Sequence, residues 1–354
     1  MKRILFFVRG EVGGAERMSV TIGKMLDKQK YKIIFCLYTS SIHDTPIRNF
    51  IPDDYEVHII NKMPILGYLG NMYREIYRVK PNIIFSSLIY INIRLLMISF
   101  FFPKCKFIIR NDNYLYTYPR WKRILLKYTY RSANQIIVQT DEMKSELIQL
   151  TKLNKEIIHT LANPLDLETI NNKIKDKNPF PSNDKKIKFV AAGRFHPVKG
   201  FDILVEAFHI IKQKHPNTEL YILGRIDGEG SSYYQIIKEK IINLGLENDV
   251  HCIGFQPNPY KYIIHADCFV LSSRNEGLPN VLIESQYLGT PAAATDCIPV
   301  VKRIIKEGCN GYIAQTENPA SLADAMIKAA KLGRIKQTYQ ACNKNDILSL
   351  FANT

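Results

Sequence analysis

The sequence predicts an α/β protein of two doubly wound domains, each a parallel sheet flanked by helices. Three observations carry this prediction: two series of short, continuously apolar runs alternating with helical patterns, a polar stretch between the series, and a length of 354 residues. Strands covered on both faces require continuous rather than alternating hydrophobicity. A chain of this length exceeds what one hydrophobic core usually fills, so two domains are the natural division.

The first series consists of the apolar runs 4–8, 31–37, 57–60, 83–85, 107–109 and 135–138. Met1-Lys2-Arg3 followed by Ile4-Leu5-Phe6-Phe7-Val8 has the outline of a signal peptide, but the run ends at Arg9 without a small-residue cleavage site. It is read as a buried first strand. The apolar stretch 88–103 contains Asn92 and Arg94 and is too short to cross a bilayer. From 163 to 188 the chain is Lys- and Asn-rich with Pro164, Pro179 and Pro181, a linker too hydrophilic to pack and holding at most one short helix. The second series follows at 189–192, 219–223, 250–253, 268–271 and 291–294, separated by helical patterns such as 202–214 and 234–244. In such sheets ligands bind beyond the carboxyl ends of the strands, which directs attention to the residues just after each run.

Hydrophobic residues at 46% and charged residues at 23% are ordinary for a globular protein and exclude global disorder. The net charge of +15 points to an anionic partner: nucleic acid, an acidic membrane face or a phosphate-bearing substrate. Seven scattered cysteines, odd in number and never spaced C-x-x-C, argue against a disulfide framework and a structural zinc site, and fit a reducing cytosol.

Three segments carry candidate chemistry. Arg9-Gly10-Glu11-Val12-Gly13-Gly14-Ala15-Glu16-Arg17 joins the first strand to a helix, where glycines admit a ligand to the backbone and a helix N-terminus offers unpaired N–H groups. Its spacing does not match G-x-G-x-x-G, and a tight turn without a ligand is the competing reading. Gly193-Arg194-Phe195-His196-Pro197-Val198-Lys199-Gly200-Phe201-Asp202 follows the first strand of the second domain. Arg194 and Lys199 flank a turn, as two cations neutralising a leaving diphosphate would, the alternative being solvated surface charge. Ser272-Ser273-Arg274-Asn275-Glu276-Gly277-Leu278-Pro279-Asn280-Val281-Leu282-Ile283-Glu284 puts Glu276 in a loop and Glu284 about a turn into the helix that Pro279 helps start. The two carboxylates either face one pocket or cap a helix in solvent.

Glu276-x7-Glu284 with Gly277-Leu278-Pro279, preceded by Gly193-Arg194-x4-Lys199-Gly200, resembles the large retaining glycosyltransferase family 4 of the GT-B fold. Gly13-Gly14-Ala15-Glu16 is similar to that family's N-terminal glycine turn. The resemblance implies two facing Rossmann-like domains: 1–164 for the acceptor, 165–332 for the nucleotide sugar, and a segment 333–354 crossing back to the first domain on Ile347, Leu348, Leu350 and Phe351. It implies that Arg194 and Lys199 grip the diphosphate, Glu284 binds the ribose hydroxyls and Glu276 meets the transferred sugar, which makes Glu276, Arg194 and Lys199 the expected catalytic residues. Backbone N–H groups of Gly277, Leu278, Pro279 and Asn280 would hold sugar hydroxyls or phosphate. Gly254 and Phe255 would line the base, and Gly13 and Gly14 would close over the phosphates.

The family is similar to enzymes that retain anomeric configuration by front-face displacement, the departing phosphate taking the acceptor's proton. This implies no cofactor and no metal, the nucleotide sugar being a substrate, and the chain lacks a D-x-D after a strand. Many members carry a His after a central strand of the first domain, where this chain reads Arg110-Asn111-Asp112-Asn113-Tyr114. Arg110, Asn111 or Asn113 is therefore expected to contact donor or acceptor, and His196 to be structural.

The segment YPRWKRILLKYTYR at 118–131 has five basic residues and no acidic one. On a helix Arg120, Arg123, Lys127 and Arg131 share one face and Trp121, Ile124, Leu125 and Tyr128 the next, the profile of an interfacial helix on anionic lipid or of a surface helix with its apolar side on the core. The membrane-facing set is Arg120, Trp121, Arg123 and Lys127, and Tyr68, Tyr73, Arg74, Tyr77 and Arg78 extend its character. Basic residues among aromatics also suit single-stranded nucleic acid, but no nucleic-acid module is recognised and nucleic acid is not an expected partner.

The expected function is therefore a retaining, metal-independent hexosyl- or N-acetylhexosaminyltransferase that uses a UDP-sugar. Its acceptor would be lipid-linked or polysaccharide, at the cytoplasmic face of an anionic membrane, in cell-surface glycan biosynthesis. A nucleotide-sugar epimerase acting on the donor alone, and a non-catalytic partner subunit that binds nucleotide or membrane, are the alternatives.

Overall fold

The computed structural model describes residues 1–39, 45–61, 65–181, 185–226, 230–336 and 344–352. Two compact units divide the chain: unit 1 is Met1–Leu165 with Ala341–Thr354, and unit 2 is Asp166–Gln340.

Unit 1 is built on a seven-stranded sheet of β1 (Lys2–Arg9), β2 (Tyr31–Thr39), β3 (Glu56–Asn61), β4 (Ile83–Ser86), β5 (Lys106–Asn111), β6 (Gln135–Val138) and β7 (Ile158–Thr160), ordered β3-β2-β1-β4-β5-β6-β7 with every pair parallel. Its helices are α1 (Gly14–Met25), α2 (Ile65–Val79), α3 (Ile89–Ile98), α4 (Arg120–Thr129) and α5 (Asp141–Thr151). Unit 2 opens with α6 (Leu167–Lys173) and holds a six-stranded sheet of β8 (Ile187–Ala192), β9 (Thr218–Leu223), β10 (Val250–Gly254), β11 (Cys268–Leu271), β12 (Ala292–Thr295) and β13 (Gly311–Ala314), ordered β10-β9-β8-β11-β12-β13 and also parallel. Between its strands run α7 (Phe201–Lys214), α8 (Gly230–Asn243), α9 (Tyr260–His265), α10 (Asn280–Tyr287), α11 (Val301–Ile304) and α12 (Pro319–Ala330), and α13 (Lys344–Ala352) follows in unit 1.

The apolar runs are strands because both their faces are covered. Ile4 to Val8 are fully buried, as are Phe35 to Leu37, Phe85 and Ile108. Phe351 of α13 completes this core beside Phe6 and Phe85, its ring 6.5 and 6.0 Å from theirs, and the Tyr31 hydroxyl donates to the Phe351 carbonyl at 3.2 Å. Ile347 and Leu350 of the same helix join the cluster. In unit 2 Phe189, Leu220 and Val270 of the sheet pack against Leu204 and Phe208 of α7 and Leu322 and Met326 of α12.

Three readings of the sequence need correction. β7 and β13 lie outside the apolar runs identified, because each is a short edge strand without a continuous apolar run, assigned by pairing with its neighbour. The stretch 163–188 is not too hydrophilic to pack, although its residues 182–184 lie outside the described ones. Ile170 and Phe180 are buried, Asn258 Nδ2 donates to the Lys173 carbonyl at 2.7 Å, and Lys173 Nζ donates to the Pro257 carbonyl at 2.6 Å. Tyr68, grouped above with the basic and aromatic residues that extend the membrane-facing set, points inward and is buried under Tyr38. Of the C-terminal segment, residues 337–343 lie outside the described residues.

Candidate active site

In a doubly wound sheet the ligand crevice forms where strand order reverses, between neighbouring strands whose connections leave in opposite directions. In unit 2 that point lies between β8 and β11. The loops leaving their carboxyl ends are the segments 193–200 and 272–279 singled out from sequence, and the structure ties them together by a dense set of bonds.

Lys199 Nζ donates to Glu276 Oε1 at 2.6 Å, and the Ser273 hydroxyl donates to the same oxygen at 2.7 Å. The Ser272 hydroxyl donates to the Lys199 carbonyl at 2.8 Å, and the Arg274 N–H to the Val198 carbonyl at 2.8 Å. Thr295 Oγ1, at the end of β12, donates to the Ser273 carbonyl at 2.6 Å. The His196 ring nitrogen Nδ1 accepts from the Val198 N–H at 3.2 Å, capping the short turn Pro197–Lys199, which is a structural use of that imidazole. Gly200 closes the turn at φ +62°, where a side chain would both strain the backbone and collide with the Ser272 carbonyl oxygen.

Arg274 is the buttress of this junction. Its guanidinium grips Asp202 with two bonds, at 2.8 and 2.7 Å, and reaches Glu317 at 2.5 Å and the Pro197 carbonyl at 2.6 Å. A planar fork with five donors suits such a multipoint bridge. Burial alone would push the Asp202 carboxyl up, but the Arg274 guanidinium and the Tyr233 hydroxyl outweigh it and hold the group at about 2.

Glu284 is buried on α10, and the buried Tyr260 donates its hydroxyl to Glu284 Oε1 at 3.3 Å. Arg194 is exposed and makes no hydrogen bond or ion pair to any described residue, although it shares the turn with Lys199. Gly254 ends β10 at φ +72° and accepts from the Gly224 N–H at 2.9 Å, with Phe255 half exposed beside it. They stand at the carboxyl edge two strands from β8. The group of N–H donors expected at 277–280 is smaller than the sequence reading had it. Pro279 has no N–H, and the Asn280 N–H is spent on the Leu278 carbonyl at 2.9 Å. Gly277 and Leu278 keep N–H groups that make no backbone bond among the described residues.

In unit 1 the order reverses between β1 and β4. Gly13 is the N-cap of α1 without a side-chain cap, and Gly14 is its first residue. Arg9 Nε donates to the buried Glu16 at 2.8 Å and Arg9 also pairs with Glu11 at 3.3 Å, so a salt bridge braces the glycine turn. A Cβ at Gly13 would run into the Glu16 carboxylate.

Arg110 needs correction. It is fully buried, donates to Asn163 Oδ1, and its carbonyl accepts from Asn92 Nδ2 at 2.9 Å, so it braces unit 1 and presents no surface to a ligand. Asn111 is buried and spent likewise: its Nδ2 donates to the Asn113 carbonyl at 2.6 Å and its Oδ1 accepts from the Tyr130 hydroxyl at 3.4 Å. Asn113 is half-buried and donates to Asp112 at 3.3 Å. Asp112, passed over in the sequence, is the titratable group of this loop. Burial pushes its carboxyl up to about 6 against the pull of Arg110, with the charges of Glu16 and Arg9 also within reach.

The match of residues 172–347 to the family model for glycosyl transferases group 1 decides the family. Through unit 2 the chain belongs to that family. An uncharacterised glycosyltransferase of Methanocaldococcus jannaschii is 37% identical to this chain over 174 residues, which are 48% of this chain and 42% of that protein. The chain thus spans less than half of that relative's length. The N-acetylgalactosamine-N,N'-diacetylbacillosaminyl-diphospho-undecaprenol 4-alpha-N-acetylgalactosaminyltransferase of Campylobacter jejuni is 24% identical over 93% of this chain and 90% of its own. Among solved structures, Anabaena HepE in complex with UDP and glucose superposes with a TM-score of 0.84 at 18% identity, over 100% of this chain and 99% of that one. At that identity the likeness establishes the fold, two parallel-sheet α/β domains of the GT-B type.

Several residues of the junction escaped sequence reasoning. Ser272, Ser273 and Arg274 stood inside a quoted motif, but their partners Lys199, Glu276 and Asp202 only become visible when β8 and β11 lie side by side. Tyr260 had no signal at all, being the first residue of α9 with one hydroxyl that finds Glu284.

Proposed function

We propose that the chain transfers a sugar from a uridine diphosphate donor, with retention and without a metal, to a lipid-linked or polysaccharide acceptor in cell-surface glycan synthesis. The observation that carries this reading is the Lys199–Glu276 pair at the strand-order reversal of unit 2. A partly buried cation held there by a single carboxylate is positioned to be shared with an incoming diphosphate, and its charge acts most strongly where water is displaced. Arg194 and the N–H groups of Gly277 and Leu278 are the remaining donors for phosphate, and Glu276 and Glu284 the acceptors for hydroxyl groups of sugar and ribose. Two similar proteins support the substrate classes: one relative acts on a diphospho-undecaprenol substrate, and the structural neighbour holds UDP and glucose.

In the front-face route the departing phosphate takes the acceptor's proton, so the protein's work is to stabilise diphosphate charge. Unit 1 takes the acceptor. α4 lies against an anionic membrane at its cytoplasmic face: Arg120 and Trp121 are exposed, and Arg123 and Lys127 half-buried.

The test is transfer from a panel of nucleotide sugars to a polyprenyl-diphosphate-linked acceptor, with nucleotide affinity measured in parallel. Glu276→Ala is expected to lower transfer by roughly 10²–10³-fold with nucleotide binding retained. Lys199→Ala is expected to weaken both. Full transfer in either variant overturns the assignment, and release of an epimerised donor without acceptor moves the chain to the donor-only reading.

A further inference from the structure

We propose that the solvent side of the α2–α3–α4 layer, with Phe100 and Phe101 at its tip, is a docking surface for an anionic phospholipid bilayer. This rests on the membrane reading given for α4 and its extension to α2, and adds α3 with the turn after it, which carried no such reading.

The connections from β3 to β4, β4 to β5 and β5 to β6 all run in one direction across the sheet, so right-handed crossovers put their helices on one face, side by side. α3 packs between α2 and α4. Each contributes outward rings. Phe100 is 70% and Phe101 55% exposed on the short turn after α3, Tyr77 is 64% exposed on α2, and Trp121 and Tyr128 are 67% and 61% exposed on α4. The alternative of an α4 with its apolar stripe on the core is therefore excluded, since Leu126 is its one fully buried residue.

The rings of the tip hold one another in place. Phe100 and Phe101 lie 3.9 Å apart, Tyr73 meets Phe101 edge-on at 5.5 Å, and Tyr77 stacks on Tyr73 at 6.4 Å. The turn Ser99–Phe101 and the following Pro103 keep the two phenylalanines from folding back as a helix. Scattered exposed apolar residues are unremarkable, but a contiguous ring cluster is a binding surface.

Charge selects the occupant. From 65 to 131 the chain has twelve Lys and Arg residues and two carboxylates, Glu75 and Asp112. Glu75 is buried and paired with Arg78 at 2.8 Å, and Asp112 is half-buried, so this stretch carries no exposed acid. Lys122 Nζ lies 4.4 Å over the Tyr118 ring and the Arg131 guanidinium 5.7 Å over that of Tyr128, which keeps cationic heads level with the rings. Exposed Phe, Trp and Tyr rings with cations around them are the groups that meet acyl chains, the interface and anionic headgroups.

Trp121 is the single tryptophan of the chain and reports the contact directly. The full chain is titrated with vesicles of phosphatidylcholine containing phosphatidylglycerol, and with phosphatidylcholine alone, following Trp121 emission and co-flotation. A blue shift and co-flotation with the anionic vesicles, reduced by high salt, are expected. Phe100→Ser with Phe101→Ser is expected to lower partition by roughly tenfold or more while the melting curve holds, since both rings are exposed. Unchanged partition in that variant overturns the proposal, as does a salt-insensitive dimer abolished by the same substitutions. Vesicle binding needs no transfer: binding without glycosyl transfer sinks the enzymatic reading alone, and transfer to a soluble acceptor without vesicle binding sinks this surface alone.

Discussion

At Gly200 two constraints coincide: the left-handed backbone, and the Ser272 carbonyl where a Cβ would sit. Gly200→Ala is expected to cost about 1–3 kcal/mol of stability, read by chemical denaturation, because the turn and its neighbour strand cannot both stay in place. Arg274 is a different kind of dependence. Lysine keeps the charge but cannot bridge both oxygens of Asp202 and also reach Glu317, so Arg274→Lys is expected to leave the fold intact and weaken nucleotide binding by roughly tenfold, read by calorimetry. The Asp202 carboxyl is held below its usual range in the folded chain. Its contribution to stability is fully present above about pH 4 and is lost as pH falls toward about 2. Thermal denaturation across that window should show the loss, and Asp202→Asn should flatten it. None of this was legible at Arg274 in the sequence, where it reads as one more surface cation, because its meaning lies in a partner 72 residues away.

The elements divide into those whose residues announce them and those made by their neighbours. β1 and β8 are apolar enough to be strands anywhere inside a protein, and α7 carries its buried stripe openly. β7 and β13 are strands because β6 and β12 offer them free edges. α13 is short, and its worth lies in where Phe351 goes. Phe351→Ala is expected to cost about 3–5 kcal/mol by emptying a site among Phe6, Phe85 and their neighbours, with the loss read in chemical unfolding. α4 shows the limit of helical periodicity. Its pattern predicted a two-sided helix correctly but could not say which side met the core, and the structure turns Trp121 and Tyr128 outward.

At the scale of the molecule, two units with separate cores should respond separately to ligand. A nucleotide that binds unit 2 at 100 times its Kd stabilises that unit by about 2.7 kcal/mol. Hydrogen exchange should then show added protection at 193–202 and 272–284. What the sequence by itself determined was local: the strand–helix rhythm, repeated twice, and the placing of the glycine turn, the Arg194–Lys199 turn and the Glu276–Glu284 segment each just after an apolar run. These are properties of periodicity and of residues close in the chain. The tertiary structure alone decided that β8 lies beside β11, which brings Lys199 to Glu276 across 77 residues, and that Arg110 is spent inside unit 1. Strand order is set by which surfaces bury each other after the crossovers are made, and no window of the sequence records that competition.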